Sequence, residues 1–263
     1  MSSTELAKAR LKLRSPAAYF RLGLRGLPSQ CAVCCKWPAE PVCAACVARF
    51  AAWPSHRCQT CAVGLPVNLS AQRDASDRCI DCLRLPPPLD RAFAAVAYGY
   101  PWSSLVARFK FGEQPGWAAF FADLLLAQAG AVDALDALSS DDFLLPLPLS
   151  PERLAQRGYN QAWQLALALA TSAQTAGRAD ARMLLRVKHT RAQSQLPRNQ
   201  RLHNVANAFA VEPLRASALA GRRVVLVDDV MTSGASIFSA ASALRQAGVK
   251  HITALVFART EAP

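Results

Sequence analysis

The chain has 263 residues, enough for one large domain or two smaller ones. Hydrophobic residues make up 52% of it and charged residues 18%, which excludes disorder over most of the chain. The net charge of +12 favours an anionic partner such as nucleic acid, polyphosphate or acidic lipid, without choosing among them. The longest apolar stretch, residues 118–138, contains three aspartates, so we expect no membrane span.

Residues 1–27 form a predicted basic arm. Between residues 5 and 25 it carries six Lys or Arg side chains and one acid, with leucines interleaved. Two interpretations stay open: a solvated, partly helical arm, or a segment that contacts nucleic acid or an anionic surface. The arm lacks the continuous apolar run of a secretory signal. We therefore expect a cytoplasmic protein, with any membrane association at the inner face.

All nine cysteines lie between residues 31 and 82, and eight of them form four C-x-x-C pairs. A C-x-x-C turn places two sulfurs on one side of a tight knuckle, and two knuckles complete the tetrahedral four-sulfur site that zinc prefers. With four sulfurs there is no open position for water, so the role of the metal is structural. We predict two Zn²⁺ ions held by Cys31, Cys34, Cys43, Cys46, Cys58, Cys61, Cys79 and Cys82.

The cysteine pattern leaves two questions open. Consecutive knuckles are expected to share a metal, and an interleaved arrangement is the rival. Cys35 is the odd cysteine, either a spare thiol or a substitute ligand. Disulfides are disfavoured because the sequence shows no export signal. A stiff Pro86-Pro87-Pro88 linker follows, so the predicted domains are the arm at 1–27, a double zinc ribbon at 28–88 and a third domain at 89–263.

The third domain is predicted to be α/β, with a mostly parallel sheet covered by helices on both faces. Strands and helices alternate along it. The predicted strands are residues 92–98, 143–149, 224–227 and 252–258, and the predicted helices are residues 105–110, 118–129, 162–170 and 236–247.

The segment Val224-Val225-Leu226-Val227-Asp228-Asp229-Val230-Met231-Thr232-Ser233-Gly234-Ala235-Ser236 is the most informative motif. An apolar strand is expected to stop at two acids, and a hydroxyl-rich loop leads into a helix. Loop amides and a helix N-terminus favour a phosphate. The acids would repel that phosphate, so they should face a vicinal diol with a divalent cation. A sugar 5-phosphate fits both halves, and the acids are expected to be partly solvated at the strand end.

This segment resembles the phosphoribosyl pyrophosphate (PRPP) signature of the type I phosphoribosyltransferases. The resemblance implies that Asp228 and Asp229 bind the ribose, together with Mg²⁺. It also implies a 5-phosphate loop made of Thr232, Ser233, Gly234, Ala235 and Ser236. In oxopurine salvage enzymes an Asp stands where this chain has Thr232, which disfavours purine salvage.

Cysteine knuckles, a proline-rich linker and a PRPP loop in this order resemble the ComF/GntX family of competence-associated proteins. The resemblance implies a type I phosphoribosyltransferase fold preceded by a small Cys-rich zinc-ribbon domain. It places Arg157 and Gly158 in the pyrophosphate loop, and Asn160 there or at a helix cap. Lys110 could reach a diphosphate or an acidic acceptor, or be an exposed structural lysine. The implied mobile loop contains Gln193, Arg201 and Asn204; a nucleic-acid contact and a solvated basic loop are the alternatives there.

Three functions stay open at this stage. The chain could be a phosphoribosyltransferase with an unidentified acceptor, or a PRPP-binding sensor without turnover. It could also be an accessory protein of DNA uptake that binds single-stranded DNA and the uptake machinery. The intact PRPP loop favours the first two, while zinc ribbons and positive charge favour the third. Competence is implied by the resemblance alone.

Overall fold

The computed structural model describes residues 29–51, 56–65, 77–187 and 208–261. By their internal contacts the residues form two compact units, Met1–Ala52 and Trp53–Pro263. The predicted arm and the residues Gln193, Arg201 and Asn204 lie outside the described parts of the chain. This division groups the second set of cysteines with the α/β sheet. The ribbon boundaries at 28–88 stay a prediction.

In the smaller unit, the described residues contain a β-bridge between Ser29 and Ala39 and the helix α1, Ala44–Phe50. Cys43 precedes the first residue of α1 with an extended backbone, so it stands at the N-cap. Val42 and Cys31 are buried. With so few apolar residues available, cysteines make up a large part of what this unit buries.

The larger unit contains a five-stranded parallel sheet, which confirms the predicted α/β class. Its strands lie in the order β1-β7-β6-β2-β3, so β6 is central. Two further strands, β4 and β5, form an antiparallel pair. The bounds are β1 Arg91–Ala97, β2 Phe143–Pro146, β3 Arg178–Ala179, β4 Leu184–Arg186, β5 Phe209–Val211, β6 Arg223–Met231 and β7 His251–Arg259.

Helices cover the sheet, and apolar side chains fill the space between the layers. Phe121 stacks on Phe257 of β7 with ring centroids 3.7 Å apart, and Trp102 meets the same ring edge-on. The helices are α2 Ile80–Arg84, α3 Trp102–Phe111, α4 Trp117–Leu126, α5 Ala129–Asp136, α6 Pro151–Arg157, α7 Gln161–Ala173 and α8 Ala235–Gln246, with a 3-10 turn at Pro213–Leu219.

The structure corrects three of the predicted elements. The helix expected at 118–129 ends at Leu126, and α5 continues at an angle of 96°. The strand expected at 143–149 ends at Pro146, because prolines lack the N–H that extends a ladder. The strand expected to stop at the acids continues to Met231, since it stays paired with β7 up to Arg259.

No single helix in the described parts of the chain is long and apolar enough to cross a membrane. The helices α4 and α5 reach the required length and composition only as a pair, and the bend of 96° separates them. They coincide with the stretch 118–138 that the sequence singled out.

Asp142 fixes the start of the neighbouring strands β2 and β6. Its buried carboxylate accepts hydrogen bonds from the backbone N–H of Arg223 at 2.8 Å and from the N–H and hydroxyl of Ser139 at 2.8 and 2.7 Å. Burial by itself raises the pKa of Asp142, but these donors hold it below the usual value of 3.8. The ionised form therefore stabilises the fold.

Asp142→Asn should lower the free energy of unfolding by about 2 kcal/mol at pH 7, because an amide nitrogen cannot accept from Ser139. The wild-type advantage is complete above about pH 4 and is lost as the pH falls through the lower folded-state pKa. Urea titrations at pH 7 and pH 3 measure both effects. Asp141→Asn is the matched control: this exposed neighbour pairs with Arg222 at 3.2 Å, and its loss should cost less than about 0.5 kcal/mol. Equal losses in both variants would contradict the assignment.

Candidate functional site

The two acids of the predicted ribose site lie on the last part of the central strand β6. The neighbouring strand β2 ends at the same edge, where Pro146 is in register with Val227 and Leu147 donates its N–H to the Val227 carbonyl at 2.8 Å. Loops that follow parallel strands meet at one edge of a sheet, where α/β proteins bind ligands. The segment after β2 therefore begins beside Asp228.

The acids are less solvated than the sequence predicted. Asp229 is only 2% exposed, and one of its oxygens, Oδ2, lies 3.0 Å from Nζ of Lys110 on α3. Asp228 is partly exposed. Burial and the Asp229 charge raise the pKa of Asp228 to about 8, with Lys110 acting in the opposite direction. The expectation of two solvated carboxylates is thus wrong for Asp229, because β6 continues past the acids inside the sheet.

The predicted 5-phosphate loop connects β6 to α8. Gly234 has φ of 82° and stands at the N-cap of α8, and Ser233 Oγ accepts from the N–H of Ala235 at 3.4 Å. A Cβ on Gly234 would lie 2.6 Å from the Phe238 ring and 2.7 Å from Met231 Cε, so only glycine fits both the conformation and the space. Thr232, Ser233 and Ser236 are half-buried. The loop thus combines hydroxyls with the N–H groups of a helix start, a combination that suits an anion.

The second loop contains the predicted pyrophosphate residues. Arg157 is the last residue of α6, and Gly158 follows it with φ of 76°, which turns the chain sharply. Burial lowers the pKa of Arg157 and the nearby charge of Asp229 raises it. Its guanidinium lies 4.8 Å from the centroid of the Phe111 ring. The structure therefore brings Arg157 and Lys110 to the same pair of acids.

Asn160 caps α7. Its Oδ1 accepts from the N–H groups of Ala162 and Trp163 at 2.9 and 3.3 Å, and its Nδ2 donates to the Leu147 carbonyl at 3.1 Å. Of the two roles left open for this residue, the helix cap is the one observed. The same side chain also ties the loop after β2 to α7.

The paired strands β4 and β5 flank the segment that the family resemblance predicts to be a mobile loop. At the last described positions, Val187 donates its N–H to the Ala208 carbonyl at 2.9 Å. Arg186 at the end of β4 lies 5.3 Å from the Phe209 ring centroid, and burial lowers its pKa while the Asp228 charge raises it. Sequence analysis did not single out Arg186, although the run of basic residues around it was a signal.

The eight predicted metal ligands form two separate clusters. In each cluster one ligand atom per residue lies within 4.8 Å of all the others. The clusters are Cys31, Cys34, Cys43 and Cys46 in the smaller unit, and Cys58, Cys61, Cys79 and Cys82 in the larger one. Consecutive knuckles therefore share a site, and the interleaved alternative is wrong.

The sulfur spacing suits a tetrahedral ion. Cys34 and Cys43 Sγ atoms lie 3.7 Å apart, and those of Cys61 and Cys79 lie 3.6 Å apart. Four sulfurs at about 2.3 Å from one Zn²⁺ would be about 3.8 Å from each other. All nine cysteines are free thiols. Either cluster could hold a metal ion.

One thiol of the first cluster ionises readily. Burial raises the pKa of Cys31, but hydrogen bonds from the backbone N–H groups of Cys34, Cys43 and Val33 outweigh this and lower it to about 6. A thiolate at neutral pH is the form that ligates a metal.

Cys35 lies outside both four-sulfur clusters. Cys35 has φ of 60° and donates its N–H to the Cys31 carbonyl at 2.9 Å. Ala62 occupies the equivalent place in the third knuckle, with φ of 57° and a bond to the Cys58 carbonyl at 2.8 Å. The residue after each of these C-x-x-C turns closes the turn, and it does not belong to the four-sulfur cluster.

The second cluster belongs to the packed core of the sheet unit. Cys58, Cys61 and Cys82 are buried within the same apolar cluster as the sheet. Gln59 accepts from the N–H of Ala92 on β1 at 2.9 Å, and Arg259 Nε donates to the Cys61 carbonyl at 2.8 Å. Sequence analysis did not identify Arg259, because nothing local marks an arginine at the end of an apolar strand.

The family model described as "Phosphoribosyl transferase domain" matches residues 165–263. This range contains the central strand β6, the two acids and the loop into α8. Together with the parallel sheet, it defines the larger unit as a phosphoribosyltransferase-type domain.

Relatives cover most of the chain. Competence protein F of Haemophilus influenzae is 33% identical over 189 residues, which is 70% of this chain and 79% of that protein. DNA utilization protein YhgH of Salmonella typhimurium is 32% identical over 183 residues, 69% of this chain and 78% of that protein. Competence protein ComFC of Bacillus subtilis is 27% identical over 218 residues, 80% of both. The chain belongs to the ComF/GntX family.

Proposed function

We propose that the chain is a PRPP-binding phosphoribosyltransferase that acts in DNA uptake or utilization, with an acceptor still to be identified. The observation that carries this is the meeting of two acids and two cations beside a phosphate-type loop. Lys110 lies 3.0 Å from Asp229, and the charges of Asp228 and Asp229 act to raise the pKa of Arg157. The turn at Gly234, five residues after Asp229, starts α8. Names of the relatives support the link to DNA.

The site can be divided by charge. The loop amides of residues 232–236 suit the 5-phosphate, and the carboxylates of Asp228 and Asp229 suit the ribose hydroxyls. Carboxylate oxygens are also the ligands that Mg²⁺ prefers, and a divalent ion bound with PRPP would neutralise the departing diphosphate. The positive side chains of Lys110 and Arg157 would stabilise the same charge as the bond from C1 of the ribose to pyrophosphate breaks. An acceptor nucleophile then attacks C1.

Titration calorimetry with PRPP and Mg²⁺ tests the proposal. Binding that requires both components is the expected result. Formation of pyrophosphate with a candidate acceptor would separate an enzyme from a sensor without turnover. Absence of any PRPP- or ribose-5-phosphate-dependent heat or melting shift in the wild type would exclude both.

Lys110→Met should weaken Mg²⁺-PRPP binding by about tenfold or more, because it removes one charge-assisted contact to the diphosphate and releases Asp229. Calorimetry measures the change. Arg108→Met is the matched control: Arg108 is an exposed cation on the same helix, and its loss should change the affinity by less than about twofold. Unchanged binding in Lys110→Met would show that this is a structural lysine.

Single-stranded DNA binding is the second candidate function. Phe111 is 68% exposed, and the guanidinium of Arg157 lies 4.8 Å from its ring centroid. An exposed aromatic ring beside a cation is suited to stacking with a base. Affinity for a short single strand should fall steeply as salt rises, because phosphate contacts release counterions. Phe111→Ala should weaken binding, by about 1–3 kcal/mol if one base stacks on the ring. Fluorescence anisotropy at several salt concentrations measures both effects, and undetectable binding at low salt would exclude this function.

We also propose that each cysteine cluster holds one structural Zn²⁺. Four sulfurs in each cluster match the ligand number and type of closed zinc sites. A cytoplasmic location fits reduced thiols and a PRPP ligand.

A further inference from the structure

Arg259 connects the second cysteine cluster to the phosphate loop. It is the last residue of β7 and is 5% exposed. Its Nε donates to the carbonyl of the metal-ligand residue Cys61 at 2.8 Å. From Nη1 it donates to the Met231 carbonyl at 3.2 Å and to the Thr232 carbonyl, where the loop leaves β6. One buried guanidinium thus bonds to both places.

The bond to Thr232 sets the direction of the next peptide N–H. In a trans peptide the carbonyl and the following N–H point to opposite sides of the plane. With its carbonyl held by Arg259, Thr232 directs the Ser233 N–H away from the arginine. That N–H belongs to the loop proposed to bind the 5-phosphate. Arg259 therefore orients a hydrogen-bond donor for the phosphate without contacting the phosphate itself.

Metal binding would fix the Cys61 end of this connection. Cys58 and Cys61 belong to the same four-sulfur cluster, and the N–H of Ala62 closes their turn by donating to the Cys58 carbonyl at 2.8 Å. Zn²⁺ held by these sulfurs would hold the turn in place, and with it the Cys61 carbonyl that accepts from Arg259 Nε. Loss of the metal would release this turn, because metal binding and folding of such a knuckle are coupled.

We propose that Arg259 is a positioning residue that couples metal occupancy of the second cysteine cluster to the conformation of the phosphate loop. This inference rests on the proposed function for its ligand. The second cysteine cluster then has a role beyond the folding of its own segment. The metal holds Arg259 in place, and Arg259 holds the loop in the conformation that binds a phosphate. Loss of the metal should therefore weaken ligand binding at the loop.

The first test is Arg259→Met in the full-length, zinc-loaded protein. It should bind Mg²⁺-PRPP at least about tenfold more weakly, because the Ser233 N–H is no longer held in place as a charge-assisted donor to the phosphate. Zinc content should stay at two, and amide hydrogen exchange at residues 231–236 should become faster. Arg57→Met is the matched control, because the bonds of Arg57 to the Ala62 carbonyl and to Glu261 hold the ribbon and do not involve residues 231–236. The control should leave loop exchange and PRPP affinity within about twofold of wild type.

The metal dependence has its own test. Cys82→Ser removes one ligand of the second cluster, and loop exchange should rise as it does in Arg259→Met. If Arg259→Met fails to fold, Arg259→Lys is the second variant. It keeps the charge but cannot make three directed hydrogen bonds, so amide exchange at residues 231–236 should be faster than in wild type.

The inference would be overturned if amide exchange at residues 231–236 were unchanged in the arginine variant or in Cys82→Ser. If wild type binds no PRPP, the proposed function fails. The hydrogen-exchange data still show whether metal occupancy affects the conformation of the loop.

Discussion

Replacing both acids, Asp228→Asn with Asp229→Asn, should abolish Mg²⁺-dependent PRPP binding. The amides keep the shape of the side chains but lose the charge that holds a cation and the acceptor strength that holds a diol. The loss should be at least about 3 kcal/mol, since hydrogen bonds to charged groups contribute roughly 1.5–3 kcal/mol each. Calorimetry measures the affinity, and PRPP should raise the melting temperature of wild type only.

The single variants separate binding from stability. Asp228→Asn should melt at or slightly above wild type without ligand, because burial and the Asp229 charge raise the pKa of Asp228 to about 8. The ionised form is therefore penalised in the fold, and wild type loses stability as the pH rises from about 4 towards 8. Asp229→Asn should melt lower, because Lys110 loses the partner 3.0 Å away. A double variant that binds PRPP like wild type would refute the assignment of both acids.

Loss of a zinc ligand should have the largest effect on stability. Purified protein should contain close to two zinc ions per chain, and Cys82→Ser close to one. Structural zinc contributes on the order of 10 kcal/mol to the folding of small metal domains, so the melting temperature should fall strongly. Elemental analysis and thermal melts measure the two effects.

Cys35→Ser is the matched control for this experiment. Cys35 closes the first knuckle but lies outside the four-sulfur cluster, so two zinc ions should remain. If the Cys35→Ser protein contained only one zinc ion, Cys35 would have to be a ligand. Protein without metal, or with intact disulfides under non-reducing conditions, would exclude the zinc sites.

Local motifs were predictable because all their determinants are close together in the chain. The C-x-x-C spacing predicts four knuckles wherever they pack. Residues 224–236 predict a buried strand, a turn that needs Gly234 and a helix start, because each step follows from neighbouring residues. The parallel sheet followed from alternating strands and helices. The positive φ at Gly158 and the cap at Asn160 are local in the same sense.

Only the tertiary structure decided which distant groups meet. The partner of Asp229 is Lys110 because α3 packs at the edge where β6 ends, and no local pattern gives that pairing. The contact of Arg259 with Cys61 and Thr232 depends on the register of β7 against β6 and on the third knuckle packing beside them. Burial of the acids also depends on that register, because β6 stays paired beyond them. The sequence by itself determined the chemical groups and their local geometry, whereas strand order and register determined their partners and their exposure to water.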